Sequence, residues 1–472
     1  MKTKTDRRES KPKHIEKKKP FTVGQVIDCA ITSLNHEGYG TSLVEGVSVL
    51  VRGVMPDELV RARITFVGRR ETFAELVKVL RKSPVRVAKP ACDKGAACDG
   101  CPLVQMQYHA QIAWKREMVE RFIHGYPSLR SIPVHPVIPS DRPLGYRNSA
   151  KLVVAGKFAD PVIGIYRPSS HDVVDISECP LHNPLINRVV TAVKEGIKKG
   201  KVPIYSSRTG SGILRYLVVR VSEAENRAMV IFVTALRSFN EIHHLAKYVQ
   251  AQVPEVSVVA QNVNSSAGNV ILGQQNHFVT REHAVTDSIG NIRFLISPNS
   301  FFQINSSGAR AVYGKVLEWS ALSGSETILD VYCGVGGISL YLAGKAKEVI
   351  GFETVGDAVA DAEKNARLNG IRNCRFEAGD AAELLDELRE EGRKTDVIVL
   401  NPPRKGCDEK VLRNVAALKP EKVIYVSCSP QTLSRDLDIL AGLGFCTHEI
   451  QPVDMFPQTP HVENVALLTR KA

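Results

Sequence analysis

A chain of 472 residues and 51.8 kDa has length for about three domains of ~150 residues. Its 43% hydrophobic and 24% charged residues are ordinary globular composition, and no apolar run approaches the ~18 residues of a membrane helix. The net charge of +12 is uneven, since residues 1–20 hold nine Lys or Arg against three acidic residues.

That basic start has no apolar segment behind it, so it does not read as an export signal, and the expected location is the cytoplasm. A flexible arm that holds phosphates is one reading of it, and a solubilising tail is the other. Ten cysteines are too sparse for a disulfide scaffold and are expected to be reduced.

From residue 21 to about 82, alternating stretches at 23–31, 47–51, 59–66 and 73–80 are separated by turns such as Glu37-Gly38 and Met55-Pro56-Asp57. Short strands at that spacing predict a small β-barrel. A cysteine-rich stretch over 91–102 leads into a helix over 103–124, where Leu103, Met106, Ile112, Met118, Val119 and Phe122 recur on one side. Between about 146 and 278, strand-like runs at 150–154, 214–221 and 228–233 are interrupted by helical stretches near 185–198 and 241–249. That mixture predicts an α+β module.

The period changes at residue 327. Apolar runs at 328–332, 348–353, 374–377, 396–400 and 422–427 alternate with helical patterns, which predicts a mostly parallel α/β sheet of Rossmann-like kind. Two last runs, 447–453 and 462–468, are expected to form an antiparallel edge. Ligands of such sheets bind beyond the carboxyl ends of the strands.

The residues at those ends carry the candidate chemistry. Asp330-Val331-Tyr332-Cys333-Gly334-Val335-Gly336-Gly337 closes the first run with a glycine loop that lets a ligand approach the backbone. Glu353 ends the second run, where a carboxylate holds a ribose diol. Ser339 stands where G-x-G-x-x-G needs its last glycine, which tilts the reading from NAD to S-adenosylmethionine; a ligand-free turn is the plain alternative. Asp380 reads as an adenine-side contact or a helix N-cap.

Asn401-Pro402-Pro403-Arg404-Lys405 presents an amide and two cations at the fourth end. Cys428, in Ser427-Cys428-Ser429-Pro430, precedes a helix whose N-terminus is expected to lower the thiol's pKa and make it a nucleophile. Cys407 is its rival, and Cys333 reads as core. Glu463, in His461-Val462-Glu463, is a candidate general base, although an acid opening a strand is more often solvated. Cys92, Cys98 and Cys101 are spaced C-x5-C-x2-C, with Cys179 available as a fourth ligand for an iron–sulfur cluster or zinc.

Together these segments resemble the RNA (uracil-5)-methyltransferase family that modifies ribosomal and transfer RNA. The resemblance runs from about Phe21 to Leu468. It implies a multidomain fold: a basic tail at 1–20, an RNA-binding OB-type TRAM barrel at 21–82, a central α+β domain at 83–285, and an S-adenosylmethionine-dependent methyltransferase domain at 286–472. It implies a [4Fe–4S] cluster on Cys92, Cys98, Cys101 and Cys179. Cofactor contacts fall to Gln303, Tyr332, Gly334, Glu353, Asp380 and Asn401, and Phe301 is placed near the target base. Cys428 becomes the nucleophile and Glu463 the base.

Two positions depart from the family pattern. Asn401 replaces the usual Asp, and Gly337 stands where many relatives carry a polar residue.

The expected reaction is methylation of uracil carbon 5, in 23S ribosomal RNA ahead of transfer RNA, by a monomeric enzyme. Two rivals follow from the same residues. Asn401-Pro402-Pro403 resembles the motif of amino-methylating enzymes, and a non-catalytic RNA-binding factor would keep the fold without the chemistry.

Overall fold

The computed structural model describes residues 20–168, 170–266 and 270–471, so the basic arm lies outside the described residues except for Pro20. The chain divides into two compact units, one ending at Arg86 and the other beginning at Val87. No helix among the described residues is long and apolar enough to cross a membrane.

The first unit is one coiled six-stranded sheet: Val26–Ala30, Ser33–Leu34, Gly40–Val44, Val47–Val51, Leu59–Val67 and Glu71–Arg81. Alternation drives it. Val60, Ala62 and Ile64 are buried while Arg61, Arg63 and Thr65 face out. Gly24, at φ +90°, delays the first strand to Val26. A buried carboxylate, Glu58, accepts the Met55 N–H at 2.9 Å and the Arg86 guanidinium at 2.8 Å, tying the loop before the fifth strand to the unit's exit.

The second unit holds two seven-stranded sheets. The first has the spatial order Gln275–Phe278, Val256–Val263, Arg227–Thr234, Leu214–Ser222, Ser149–Lys157, Asp160–Tyr166 and Val173–Asp175. One face buries Leu152, Val219 and Val230 with the inward residues of helices Pro184–Gly200 and Ile242–Gln252. The other face, with Val218, Met229 and Ile231, shares a core with Phe294, Phe302 and Val312 of the C-terminal half.

The second sheet runs Cys374–Ala378, Glu348–Glu353, Thr327–Val331, Val397–Leu400, Lys422–Ser427, Glu463–Arg470 and Phe445–Val453. Its first five strands are parallel, and Glu463–Arg470 runs antiparallel between the last two neighbours. The chain order reverses at Thr327–Val331, which opens a crevice at the carboxyl ends of the strands. Helix Tyr108–Ile123 starts five residues later than the sequence predicts, because Leu103 and Met106 are buried in turns ahead of it.

Candidate active site

A cleft of about 1390 Å³ lies over those strand ends and is lined by every candidate named there: Gln303, Tyr332, Gly334, Glu353, Asp380, Asn401, Cys428 and Glu463. It exceeds the roughly 300–1,000 Å³ of a site for one small ligand, so a cofactor and a second reactant fit together.

The glycine loop is held from both sides. Asp330 Oδ2 accepts the Ser339 N–H at 2.9 Å and its hydroxyl at 2.5 Å, while Oδ1 is buried with no partner. Burial pushes the Asp330 carboxyl up to about 7. Glu353 accepts the Gly334 N–H at 3.1 Å and the Val355 N–H at 2.9 Å, which fixes its carboxylate at the rim. Tyr332 takes φ +69° as the chain leaves the strand. A Cβ on Gly337 would stand 2.4 Å from the Tyr313 hydroxyl, so a side chain there would have to displace that ring. Asp380 is the N-cap of helix Ala381–Glu390, accepting from Ala382 N at 2.9 Å, and it lines the cleft as well.

Gln303 sits in the loop ahead of helix Ser306–Ser320. Its carbonyl accepts from Asn148 Nδ2 at 2.9 Å, and its side chain bonds the Tyr313 hydroxyl. Phe301 is 64% exposed at the wall of the cleft. Asn401 is held by its N–H to the Val331 carbonyl at 3.2 Å, and its side chain faces a cleft lined further by Arg404 and Lys405.

The strand register brings Cys428 to Glu463. Ser427 pairs with Asn464 in the antiparallel ladder, so the next residues outward are Cys428 and Glu463. Asn464 Nδ2 donates to the Ser427 carbonyl at 3.1 Å and locks that register. Glu463 is 8% exposed, and burial raises its carboxyl to about 8, opposed by the charge of Arg404. The thiol departs from the sequence expectation. Burial, then the Glu463 carboxylate, raise the Cys428 pKa, and Arg404 lowers it. The helix N-terminus belongs to Ser429, whose hydroxyl caps Thr432 N, so its stabilisation falls one residue past the thiol. Cys407 is enclosed instead, 5% exposed beneath the Tyr425 hydroxyl at 3.5 Å and pushed up to about 12 by burial.

The segment 454–461 is clamped by residues that the sequence reading missed. Lys115 Nζ meets Asp454 Oδ1 at 2.5 Å with neither side chain exposed, and it also donates to the Phe456 carbonyl at 3.1 Å. Tyr108 donates to Asp454 Oδ2 at 2.8 Å, and Gln111 exchanges two hydrogen bonds with Gln458, at 2.9 and 3.0 Å. The available signal was position: Gln111, Trp114, Lys115 and Met118 share the buried face of their helix.

Cys92, Cys98, Cys101 and Cys179 lie near enough to influence one another. Ionising one thiol is felt by the others: Cys98 by Cys92 and Cys179, and Cys101 by all three. Burial pushes Cys101 up to about 12, while Arg147 favours ionised Cys101 and Cys179 and the Leu181 and His182 N–H groups favour ionised Cys179. Among the described residues no group of three or more His, Cys, Asp or Glu is close enough to hold a single metal ion. Four thiols with the Arg147 charge and two N–H groups beside them are soft donors with support for their ionised forms.

Comparison with known proteins fits this geometry. The model of the tRNA (Uracil-5-)-methyltransferase family matches residues 107–471, and the TRAM domain model matches residues 20–77. An uncharacterized RNA methyltransferase of Geobacter sulfurreducens is 60% identical over 95% of this chain and 90% of its own. One from Oceanobacillus iheyensis is 37% identical over 96% and 98%. The crystal structure of Pyrococcus abyssi tRNA (uracil-54, C5)-methyltransferase in complex with S-adenosyl-L-homocysteine superposes with a TM-score of 0.76, at 29% identity over 94% of this chain and 100% of that one. The resemblance read from the motifs therefore holds, as do the barrel-type N-terminal domain and the C-terminal fold of S-adenosylmethionine-dependent methyltransferases. With a TRAM domain at its start and the family model over the rest, this chain is an RNA methyltransferase belonging to the tRNA (uracil-5-)-methyltransferase family.

Proposed function

We propose that this enzyme methylates carbon 5 of a uridine in RNA through a covalent adduct between Cys428 and carbon 6 of the base. The observation that carries the reading is the ladder register, which sets Cys428 and Glu463 side by side at the cleft with the charge of Arg404 acting on both.

Uracil carbon 5 is a weak nucleophile, and addition of the Cys428 thiolate to carbon 6 turns it into an enolate carbon. Bound S-adenosylmethionine supplies the methyl group. Gln303, Tyr332, Gly334, Glu353, Asp380 and Asn401 hold that cofactor, Glu353 at the ribose hydroxyls. Asn401 accepts a hydrogen bond as the usual Asp does, without its charge. Glu463 then takes the proton from carbon 5, and the thiolate leaves. A carboxyl raised to about 8 is a strong base once ionised, and burial excludes the water that would weaken it. Phe301 stacks on the flipped base, and Arg404 with Lys405 holds the backbone beside it.

Cys92, Cys98, Cys101 and Cys179 hold a [4Fe–4S] cluster, with zinc as the rival. Methyl transfer by this route moves no electron, so the cluster's part is to fix the loop ahead of helix Tyr108–Ile123. The substrate of first choice is 23S ribosomal RNA, for the pairing of TRAM domain and cysteine cluster; the solved relative's name favours transfer RNA. The enzyme acts as a monomer in the cytoplasm.

RNA containing 5-fluorouridine tests the mechanism: with S-adenosylmethionine it should trap a protein–RNA adduct that Cys428→Ala abolishes. An active alanine variant sinks the assignment. Mapping 5-methyluridine in a gene deletion decides between ribosomal and transfer RNA. A visible absorption spectrum after anaerobic purification decides the cluster, because zinc is colourless.

A further inference from the structure

One face of the first seven-stranded sheet carries two cations that the chemistry above does not use. Lys151, on Ser149–Lys157, and Arg220, on Leu214–Ser222, are diagonal neighbours, since Lys151 pairs with Val218 and Ser149 pairs with Arg220. They share the sheet face that packs toward the C-terminal half through Tyr216 and Val218. Lys151 lines the cleft together with Phe301, Gln303 and Cys428. The Lys151 strand is anchored by the residue ahead of it, Asn148, which bonds the Gln303 carbonyl at 2.9 Å and the Ser306 hydroxyl at 3.1 Å.

Arg220 is 7% exposed, and its Nε has no hydrogen-bond partner. Among the described residues no carboxylate forms an ion pair with it. Of the other buried cations, Lys115 is paired with Asp454, and Arg215 donates to the Asn264 and Ser266 carbonyls at 2.6 and 2.8 Å. A buried guanidinium without a counter-ion is costly, and an arriving anion would offset that cost. Burial lowers the Arg220 pKa to about 10, and the Arg220 charge in turn helps lower that of Lys151. The same cleft is lined by Asp330, Glu353, Asp357, Asp361 and Asp380, so an anion is favoured beside Lys151 rather than beside these carboxylates.

We infer that Lys151 and Arg220 form a subsite for one backbone phosphate of the RNA, adjoining the target uridine beside Phe301. This rests on the proposed uridine reading for its place in the reaction, while its chemistry needs only an RNA phosphate. Phosphate is preferred over the cofactor's carboxylate because the pair belongs to the first seven-stranded sheet, whereas the glycine loop follows a strand of the second.

The test is Lys151→Gln, at an exposed position that the fold tolerates, with Arg220→Met beside it. Binding of in vitro transcripts of transfer RNA and 23S ribosomal RNA is measured without cofactor across a salt series. S-adenosylhomocysteine binding is measured by calorimetry. Each variant should weaken RNA binding by about tenfold and flatten the log–log salt slope by about 0.7–1, the signature of one lost phosphate contact. Arg220→Met should melt no lower than wild type, because it removes an unpaired buried charge. Unchanged RNA affinity and salt slope in both variants would overturn the subsite. So would a loss of S-adenosylhomocysteine affinity with RNA binding intact, which would give the pair to the cofactor. If the wild type makes no 5-methyluridine yet Lys151→Gln loses RNA affinity and slope, the subsite stands and the uridine reading falls.

Discussion

Cys407 and Cys428 follow neighbouring parallel strands and look interchangeable in the sequence, yet the fold gives them opposite surroundings. Cys407 lies under Tyr425, and its own N–H is held by Asp436 Oδ2 at 2.8 Å. Cys428 opens onto the cleft with a carboxyl and a guanidinium beside it. A strand end therefore offers a place for chemistry, and the antiparallel neighbour decides which end is used. Glu463–Arg470 pairs with Lys422–Ser427 and delivers its first residue to Cys428, while Cys407 receives a structural network instead.

The widest gap between the two cysteines should appear in methyl transfer. Cys428→Ala should lose about 10⁴-fold or more in turnover, as the loss of a covalent nucleophile does, while Cys407→Ala should stay within about tenfold. Tritium transfer from labelled S-adenosylmethionine into RNA reads both, and the reverse ranking would move the nucleophile to Cys407. Next comes Glu463→Gln, expected to slow turnover by about 10²–10⁴-fold and to accumulate the protein–RNA adduct, because addition and methylation precede proton removal. The same variant carries a stability signature. A carboxyl raised in the folded state contributes stability that is full below its unfolded pKa near 4.5 and lost as pH rises to about 8. Glu463→Gln should therefore gain melting temperature on the wild type across that window.

The network under Cys407 should show the complementary behaviour. Asp436 is fully buried and accepts from Tyr425 at 2.5 Å, from Cys407 N and from Arg435. Asp436→Ala should cost about 2–3 kcal/mol of folding stability in denaturant melts, on the scale of hydrogen bonds lost to a charged acceptor that leave buried donors unpaired. A cost below about 1 kcal/mol would mean that the loop over 401–408 is held by its prolines alone.

Much of this contrast was legible in the sequence. The alternation of apolar runs with helical patterns fixes a parallel sheet, and the sheet type fixes which loops gather, so Glu353, Asp380, Asn401 and Cys428 fall at one edge. Long-range neighbours were not legible. The helix that follows Cys428 is expected to acidify the thiol, whereas burial and Glu463 act the other way. Lys115 and Asp454 do not stand out in the sequence because each is ordinary in its own segment; only the packing of helix Tyr108–Ile123 on residues 454–461 buries them together. The strand Gly40–Val44 was hidden by Gly40, Thr41 and Ser42, whose small size suits a close approach: a Cβ on Gly40 would meet Val54 at 2.2 Å.

The finest distinction lies in how readily the Cys428 thiol ionises. Glu463 and Arg404 push it in opposite directions, so removing each should move its reactivity oppositely. Native-state alkylation by iodoacetamide follows the thiolate, and its pH profile reports the coupled pair rather than either group alone. Glu463→Gln removes a like charge and should shift the profile to lower pH. Arg404→Gln removes the stabilising cation and should shift it to higher pH, slowing labelling at neutral pH by about tenfold or less. Cys407 should remain unlabelled throughout, since its enclosure does not depend on either residue. Shifts of the same sign in both variants would show that burial alone governs the thiol, and the charge-balanced nucleophile would have to be given up.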